Sequence, residues 1–277
     1  MPTLYLVGTP IGNLEDITLR ALRILKEAPL AAAEDTRRAK VLFQRHGIST
    51  PLVSYHEQGA GGKVAQLLER LRRHDVALIT EAGMPSISDP GFGLVRAAIE
   101  QGIRVEVIPG PSAVPTAVAL SGLPSDRFTF IGFLPRAPGE RRRLLESLAR
   151  QPWTLVAFES PHRVQGALKD IAAILGAERP IAVCRELTKL HEEVFRGTAQ
   201  EAAERFAAPK GEFTLVIGGA GESAPAAMAE QDVARLVEQF RRSGVAPNEA
   251  VGEIARQTGR PRREVYQLWI GKAKGPR

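Results

Sequence analysis

The chain has 277 residues, of which 44% are hydrophobic and 25% charged, and its formal net charge is +6. This length allows one large domain or two of ordinary size, and the apolar content is sufficient to build buried cores. No run approaches the roughly 18 apolar residues of a membrane span, and the start lacks the charged region and cleavage site of a secretory signal. We therefore expect a globular protein of the cytoplasm that has no membrane partner.

The chain contains one cysteine and five histidines. Cys184 lies inside the apolar run "PIAVCREL" and has no second cysteine to pair with, so we expect a small buried hydrophobic side chain rather than a nucleophile. The histidines are scattered along the chain, without the ligand spacing of a metal site. The sequence thus predicts neither a disulfide nor a metal centre.

Residues 1–125 alternate short apolar strands with amphipathic helices. The predicted strands are "TLYLVG", "LAAAE", "PLVSY", "VALIT" and "RVEVIPG". The first helical pattern between them is "EDITLRALRILKEA", with Glu15 and Asp16 expected in its first turn. Such alternation predicts an α/β domain with a largely parallel sheet covered by helices on both faces.

Residues 126–220 are predicted to form a second α/β domain. Its strands are "FTFIGFL", "WTLVAFES", "PIAVCREL", "EEVFRGT" and "FTLVIGG", with helices at 139–150, 162–176 and 199–207. The third and fourth strands follow each other without a helix between them, which indicates an antiparallel pair. We therefore expect this second sheet to be mixed.

The carboxyl-terminal part differs in composition. Residues 220–230 are small and polar, as in a linker, and residues 231–277 form a helical module that resembles a helix-turn-helix arrangement. This module has ten Lys and Arg against five Asp and Glu, so it carries +5 of the net charge of +6. Lysine and arginine neutralise nucleic-acid phosphates, so the module is predicted to bind RNA, although Trp269 is expected in its core. The predicted phosphate contacts are Arg262, Arg263, Lys272 and Lys274.

Three loops rich in glycine and proline follow strands of the first domain. They are "GTPIGN", "TEAGMPSISDPG" and "PGPSA". In open α/β sheets, ligands bind beyond the carboxyl ends of the strands, and glycine lets the backbone approach them closely. No loop matches a dinucleotide or P-loop fingerprint. The loops therefore predict a cradle for a small polar molecule, in which Glu81 or Asp89 accepts hydrogen bonds; the alternative for either carboxylate is a helix cap or a surface charge.

The order of these motifs resembles a known family. "LYLVGTPIGN", "AAEDTRRA", "EAGMPSISDPG", "VIPGPSA", "FIGFLPR", "FESPHRV", "CRELTKLHEEVFRGT" and "KGEFTLVI" follow one another as in the tetrapyrrole methylase superfamily. Within it they are most similar to the ribose 2′-O-methyltransferases of small-subunit rRNA. One departure is Glu81, which stands where the family pattern has aspartate, so the charge is kept on a longer side chain.

The resemblance implies two α/β domains with S-adenosylmethionine bound in the cleft between them, commonly in a homodimer. It implies that the cofactor contacts in the first domain are Pro10, Gly12, Glu81, Gly83, Ser86, Ile87, Gly110, Pro111, Ser112 and Ala113. It implies that those in the second domain are Phe133, Leu134, Phe158, Glu159, Arg185, Glu186, Phe213 and Thr214. The small-subunit rRNA is the implied partner.

Charged residues near the loops raise a choice between chemistry and local structure. Glu34 or Asp35 is predicted to assist removal of the ribose hydroxyl proton, and Arg37 to hold a phosphate. The alternative is a helix amino terminus stabilised by acidic residues, with solvated arginines. Arg163 and Lys189 are further candidates for contacts with the RNA backbone.

Two other functions remain open. A tetrapyrrole C-methyltransferase would use the same cofactor, but a small macrocycle does not require the basic terminal module. A non-catalytic RNA-binding ribosome-assembly factor would require that module but leaves the loops of the cleft unexplained. The leading hypothesis is an S-adenosylmethionine-dependent methyltransferase that acts on the ribose 2′-hydroxyl of a cytidine in small-subunit (16S) rRNA.

Overall fold

The computed structural model describes residues 1–56, 61–207, 210–221, 230–243, 245–258 and 262–270. The chain divides into two compact units, Met1–Gly219 and Ala220–Arg277. Both α/β sheets lie in the first unit and the terminal helices in the second. No helix among the described residues is long and apolar enough to cross a lipid bilayer.

The first sheet contains five parallel strands. They are β1 (Thr3–Val7), β2 (Ala31–Ala33), β3 (Leu52–Ser54), β4 (Val76–Ile79) and β5 (Arg104–Ile108). Their spatial order is β3-β2-β4-β1-β5, and every pairing between neighbours is parallel. The helices that connect them and follow them are α1 (Leu19–Glu27), α2 (Thr36–His46), α3 (Gly61–Leu71), α4 (Phe92–Glu100) and α5 (Ala113–Ser121).

Helices cover both faces of this sheet because its central strands are apolar on both sides. All residues of β2 and β4 are buried. One core contains Leu25 of α1 and Phe43 of α2, and the other contains Leu71 of α3 and Leu94 of α4. The predicted parallel sheet is thereby confirmed.

The second sheet is mixed. Its strands are β6 (Phe128–Phe133), β7 (Thr154–Glu159), β8 (Pro180–Arg185), β9 (Glu193–Thr198) and β10 (Phe213–Ile217). They lie in the order β6-β7-β10-β8-β9; β6 and β7 are parallel, and the other pairings are antiparallel. The predicted antiparallel pair of β8 and β9 is confirmed.

Helices α6 (Pro138–Leu148), α7 (Val164–Leu175) and α8 (Ala199–Arg205) pack on one face of the second sheet. The other face is covered by α5, whose Val114, Ala117 and Val118 share a core with Val156 and Val216 of the sheet. Since α5 directly follows β5 of the first sheet, this packing links the two sheets. It also fixes where the loop before α5 lies relative to the second sheet.

The second unit contains α9 (Glu230–Arg242), α10 (Pro247–Thr258) and α11 (Arg262–Trp269). Val237, Ile254 and Val265 are buried in its core, and Leu268 and Trp269 pack against them. The prediction that Trp269 belongs to a core is confirmed.

The beginning of the first helix was predicted incorrectly. Leu14–Asp16 form a short 3-10 turn, and α1 begins only at Leu19. Thr18 caps α1, because its hydroxyl accepts a hydrogen bond from the N–H of Ala21 at 3.1 Å. A threonine cap satisfies one of the amide groups that have no partner in the first turn, and this local bond starts the helix three residues after the acidic pair.

Candidate active site in the cleft between the two sheets

Backbone contacts join the glycine-rich loops at the carboxyl edge of the first sheet. Thr9 and Gly83 form a two-way bridge, with N–H to O distances of 2.9 and 3.0 Å. Gly83 has φ = 74°, a left-handed conformation that glycine adopts without strain. Gly8 and Gly110 lie so close that a Cβ on either residue would come within 2.8 Å of the other's backbone. These glycines let three loops meet at one place.

The long loop after β4 contains strained backbone. Ser86 and Ser88 have φ of 70° and 61°, values that residues other than glycine seldom adopt. The Ser86 hydroxyl oxygen is buried and has no hydrogen-bond partner among the described residues. Conformations of this kind cost about 1–3 kcal/mol each and concentrate at ligand sites.

A second strained loop comes from the other sheet. Glu186 and Thr188 have φ of 51° and 66°, which is unusual above all for the β-branched threonine. The Thr188 hydroxyl oxygen accepts a hydrogen bond from the backbone N–H of Asn13 at 3.0 Å. A Cβ on Gly12 would lie 2.5 Å from Cγ of Lys189 and 2.7 Å from the carbonyl oxygen of Leu187. The loops of the two sheets are therefore in direct contact.

Between these loops lies a cleft formed by two adjoining cavities of about 420 and 290 Å³. The larger cavity alone is within the range of about 300–1,000 Å³ that is usual for small-molecule sites. It is lined by Ile11, Glu34, Arg38, Glu81, Ala82, Asp89, Ala113, Phe133, Phe158, Glu159, Ser160, Pro161, Cys184, Leu187, Glu212, Phe213 and Thr214. The smaller cavity adds Thr9, Pro10, Gly12, Thr80 and Lys189, among others.

The larger cavity is lined by both aromatic and charged side chains. Phe133 and Phe158 contribute two rings, with centroids 5.4 Å apart. The charged lining consists of five carboxylates, Glu34, Glu81, Asp89, Glu159 and Glu212, and a single cation, Arg38. Arg38 contacts Glu81 at 2.6 Å. The cavity therefore suits a ligand that combines a flat ring with positive charge.

Burial and mutual repulsion make several of these carboxylates more basic. Burial, reinforced by the charge of Glu34, raises the pKa of Asp89 to about 7. Burial and the charge of Glu81 raise the pKa of Glu34, whose carboxylate also accepts a hydrogen bond from the backbone N–H of Glu81. Both effects disfavour the charged form of a carboxyl group. Asp89 is therefore partly protonated near neutral pH.

Glu159 is the most buried of the five carboxylates, with 2% of its surface exposed. Its Oε1 contacts Arg163 at 2.6 Å and accepts a hydrogen bond from the N–H of Ser160 at 2.7 Å. Its Oε2 is buried without a hydrogen-bond partner in the described part of the chain. A buried oxygen without a partner is costly, so this atom indicates a place where a ligand donates a hydrogen bond.

The predicted catalytic residues separate into two groups. Glu34 lines the cavity. Asp35 instead caps α2, where its carboxylate accepts from the N–H of Arg37 at 2.7 Å and forms an ion pair with the Arg37 side chain at 2.8 Å. The hydrogen bond from Arg37 lowers the pKa of Asp35 to about 2, which makes it a poor proton acceptor. For Asp35 the observed contacts match the structural alternative.

Nine of the eighteen predicted cofactor residues line the two cavities. They are Pro10, Gly12, Glu81, Ala113, Phe133, Phe158, Glu159, Phe213 and Thr214, with Glu81 in both cavities.

 Gly83 lines neither cavity, but it forms a backbone bridge to Thr9, which lines the smaller one.

The other eight predicted cofactor residues do not line either cavity. Gly110 supports the loops through its close approach to Gly8. Arg185 forms an ion pair with Glu193, and Glu186 forms one with Lys189, so the two do not pair with each other. The remaining five, whose cofactor contacts stay predictions, are Ser86, Ile87, Pro111, Ser112 and Leu134.

Of the predicted RNA contacts, two side chains form ion pairs within the protein and the other four lie outside the described residues. Arg163 contacts Glu159 and donates to the carbonyl oxygen of Leu134 at 3.0 Å. Lys189 lies between Glu186 and Glu212, at 2.9 and 2.8 Å. Arg262 and Arg263 are part of α11, but their side chains are outside the described residues, as are Lys272 and Lys274 entirely. Their contacts with RNA stay predictions.

Sequence reasoning missed several residues that line the cleft. Arg38 and Glu212 stand beside predicted residues in "AAEDTRRA" and "KGEFTLVI", so their motifs were found but the side chains that face the cavity were not. Cys184 was predicted to be buried, which is confirmed, but it also lines the cavity. Burial raises the pKa of its thiol to about 11, so the thiol stays neutral.

Comparison with known proteins identifies the family. Residues 3–203 match the profile of the tetrapyrrole (corrin/porphyrin) methylases. The chain belongs to the tetrapyrrole methylase family. It is 46% identical over 273 residues to a protein of Halalkalibacterium halodurans named ribosomal RNA small subunit methyltransferase I, and the match covers 96% of this chain and 94% of that protein. The chain is thus a methyltransferase of this family.

Two further relatives mark the limits of the similarity. A Thermotoga maritima protein of the same name is 48% identical over 222 residues, which are 99% of its own length but 79% of this chain. The crystal structure of uroporphyrin-III C-methyl transferase from Thermus thermophilus complexed with S-adenyl homocysteine has a TM-score of 0.57 and 22% identity. It covers 79% of this chain and 97% of that chain, and it supports the predicted methylase fold.

Proposed function

We propose that the chain transfers a methyl group from S-adenosylmethionine to the ribose 2′-hydroxyl of a cytidine in small-subunit (16S) rRNA. The observation that carries this proposal is the carboxylate-rich cleft of a methylase whose relatives at 41–48% identity are named for the small-subunit rRNA. The cofactor, the target and the residue roles are the parts that the experiment below tests.

The residues of the cleft fit this cofactor chemically. When bound, S-adenosylmethionine supplies a methyl group on a positively charged sulfur. The carboxylates Glu34 and Glu81 complement positive charge, and carboxylate oxygens accept hydrogen bonds from ribose hydroxyls or an ammonium group. Phe133 and Phe158 offer an apolar surface to a nucleobase. The orphaned Oε2 of Glu159 is available to a donor such as an exocyclic amine.

The chain's own contribution to methyl transfer is alignment. Holding donor and acceptor in one geometry can supply about 7–11 kcal/mol of the activation barrier. The loops suit this task because each is fixed by hydrogen bonds: the backbone of Thr9 to that of Gly83 in the first sheet, and the backbone N–H of Asn13 to the Thr188 hydroxyl between the sheets. We retain Glu34 as a residue that assists removal of the ribose hydroxyl proton. We retain Arg37, whose side chain is 90% exposed, as a phosphate contact at the rim.

The alternative functions fit less well. A tetrapyrrole C-methyltransferase is favoured by the fold alone, since the structural neighbour of that activity is only 22% identical. A non-catalytic RNA-binding factor would not require a deep cleft with a buried carboxylate oxygen that lacks a partner. We keep an RNA target because residues 231–277, which belong to the second unit, carry +5 of the net charge of +6.

We further propose that the protein acts in the cytoplasm as a homodimer. The edge strands of both sheets support self-association, since Val107 on β5 and Phe128 on β6 are 46% and 41% exposed. Apolar side chains on open sheet edges favour pairing with another chain.

The test is transfer of labelled methyl from S-adenosylmethionine to small ribosomal subunits that lack the modification, followed by mapping of the labelled nucleotide. Label on a cytidine ribose supports the proposal. Label on a base would refute the assigned reaction, and label on a tetrapyrrole intermediate but not on RNA would establish the first alternative. Calorimetry that detects no binding of S-adenosylmethionine would favour the non-catalytic factor.

A further inference from the structure

Asp89 experiences the negative charge of three glutamates that belong to different parts of the fold. It lies in the loop after β4 and lines the larger cavity. Glu34 follows β2, Glu81 follows β4, and Glu212 precedes β10, and all three act electrostatically on Asp89. The nearby cations are already engaged, because Arg38 pairs with Glu81 and Lys189 pairs with Glu212. No hydrogen bond from an arginine or lysine neutralises Asp89 in the described part of the cleft.

Another carboxylate in the lining of the same cavity carries independent evidence of a ligand. Glu159 is 98% buried there, and its Oε2 lacks a hydrogen-bond partner among the described residues.

 

Glu159, Phe133 and Phe158 line this cavity together with Asp89. A substrate held against the aromatic rings therefore has carboxylates within the same enclosed volume.

We propose that Asp89 is the proton acceptor of the methyl-transfer step. The inference rests on the proposed function, because it needs a hydroxyl substrate. In the step, a bond forms between the ribose O2′ and the methyl carbon, while the bond between that carbon and the sulfonium sulfur breaks and leaves its electron pair on sulfur. The hydroxyl proton passes to the Asp89 carboxylate, so charge and atoms balance.

The surroundings of Asp89 suit the role of proton acceptor better than those of Asp35, which the sequence predicts as a candidate. A general base works best when its pKa is near the working pH, and the pKa of about 7 for Asp89 meets this condition, whereas that of Asp35 is about 2. Glu34 has a supporting part, because its negative charge favours the protonated form of Asp89. His56 and Arg38 also act electrostatically on Glu34, and they oppose the effect of Glu81 on it.

The experiment is a single-turnover measurement on the full-length protein, with excess enzyme and S-adenosylmethionine and with unmodified small ribosomal subunits. For the wild type we expect the rate constant to rise about tenfold per pH unit below pH 7 and then to level off. In Asp89→Asn the rate constant should fall by about 10²–10⁴-fold and lose this rise, while the affinity for S-adenosylmethionine measured by calorimetry stays within about twofold. Asp126→Asn, which changes an exposed residue outside the cleft, should behave as the wild type.

A second variant distinguishes Asp89 from its neighbour. In Glu34→Gln the negative charge that raises the pKa of Asp89 is removed, so the inflection of the pH profile should move to lower pH. Asp89→Glu, which keeps a carboxylate, should restore part of the rate, and thermal unfolding should show all variants folded.

Three results would overturn the proposal. They are an unchanged pH profile in Asp89→Asn, a loss of cofactor affinity as large as the loss of rate, and a Glu34→Gln variant that loses the pH-dependent step while Asp89→Asn keeps it. A wild-type enzyme that transfers no methyl group to the subunits would instead refute the proposed function, so the two failures are distinguishable.

Discussion

Replacement of Gly12 by alanine tests the contact between the loops of the two sheets. The added Cβ would lie 2.5 Å from Cγ of Lys189, 2.6 Å from the hydroxyl oxygen of Thr188 and 2.7 Å from the carbonyl oxygen of Leu187. The lysine side chain can move, but a backbone carbonyl cannot do so without shifting the loop. Overpacking of this kind costs about 1–3 kcal/mol. At about 2–4 °C per kcal/mol for a protein unit of this size, we expect unfolding about 2–12 °C below the wild type.

Gly139→Ala is the matched control. Gly139 lies in the first turn of α6, and a Cβ there has no atom within 4 Å. Because alanine restricts the unfolded chain, this change should stabilise the protein by about 0.4–1 kcal/mol. Differential scanning calorimetry should therefore move the two melting temperatures in opposite directions, and titration with S-adenosylmethionine should show weaker binding only for Gly12→Ala. Melting of Gly12→Ala at or above the wild-type temperature, with unchanged cofactor binding, would refute the argument that these loops are in tight contact.

Three further predictions follow from the same contacts. Asp170→Ala leaves the guanidinium of Arg141, which is 6% exposed, without the carboxylate it contacts at 2.5 Å, so urea denaturation should show a loss of about 3–5 kcal/mol; a loss of less than about 1 kcal/mol, as for an exposed pair, would contradict this. Phe133→Ala should weaken the binding of a nucleobase in the cleft by about 1–3 kcal/mol, as measured by calorimetry, whereas Phe128→Ala should leave it unchanged. If both variants bind the nucleobase with equal affinity, Phe133 does not stack on a base. Deletion of residues 231–277 should weaken RNA affinity and flatten its salt dependence while cofactor affinity persists, and unchanged RNA binding would show that the basic charge of this segment is not used.

The sequence was sufficient to predict the strands because their patterns are set by burial. The fully buried runs of β2 and β4 and the apolar β10 stand out as short apolar segments between turns. The antiparallel pair β8 and β9 was also predictable, because parallel neighbours need a long connection and none separates them. Such features depend on local composition and on connection length, both of which are present in the sequence.

The site was predictable at the level of motifs but not of individual side chains. "AAEDTRRA" was recognised, yet it is Glu34 and Arg38 that face the cavity, while Asp35 turns back to cap α2. Which neighbour faces a cavity depends on where one local hydrogen bond forms, here from the N–H of Arg37 to Asp35. The ion pairs of Lys189 involve Glu212, which is 23 residues away in sequence, and no local pattern indicates such a partner.

The charge of the cleft constrains how RNA can enter it. Five carboxylates and one arginine line the larger cavity, and a phosphate placed among them would meet repulsion at short distance in a partly buried environment. A ribose and its base carry no such charge, and enzymes that act on single nucleotides commonly take them out of the stack at a cost of a few kcal/mol. We therefore expect one nucleotide to enter the cleft while its phosphates stay at the rim, where the Arg37 side chain is exposed.

We expect RNA affinity and methyl transfer to depend on different parts of this protein. Because the cleft repels phosphates, binding of the RNA backbone must come from surfaces outside it, and residues 231–277, which carry a net charge of +5, can provide such binding. On this view, raising the salt concentration should weaken binding of the RNA far more than it weakens binding of the cofactor, because only the RNA is held mainly by charges exposed to solvent.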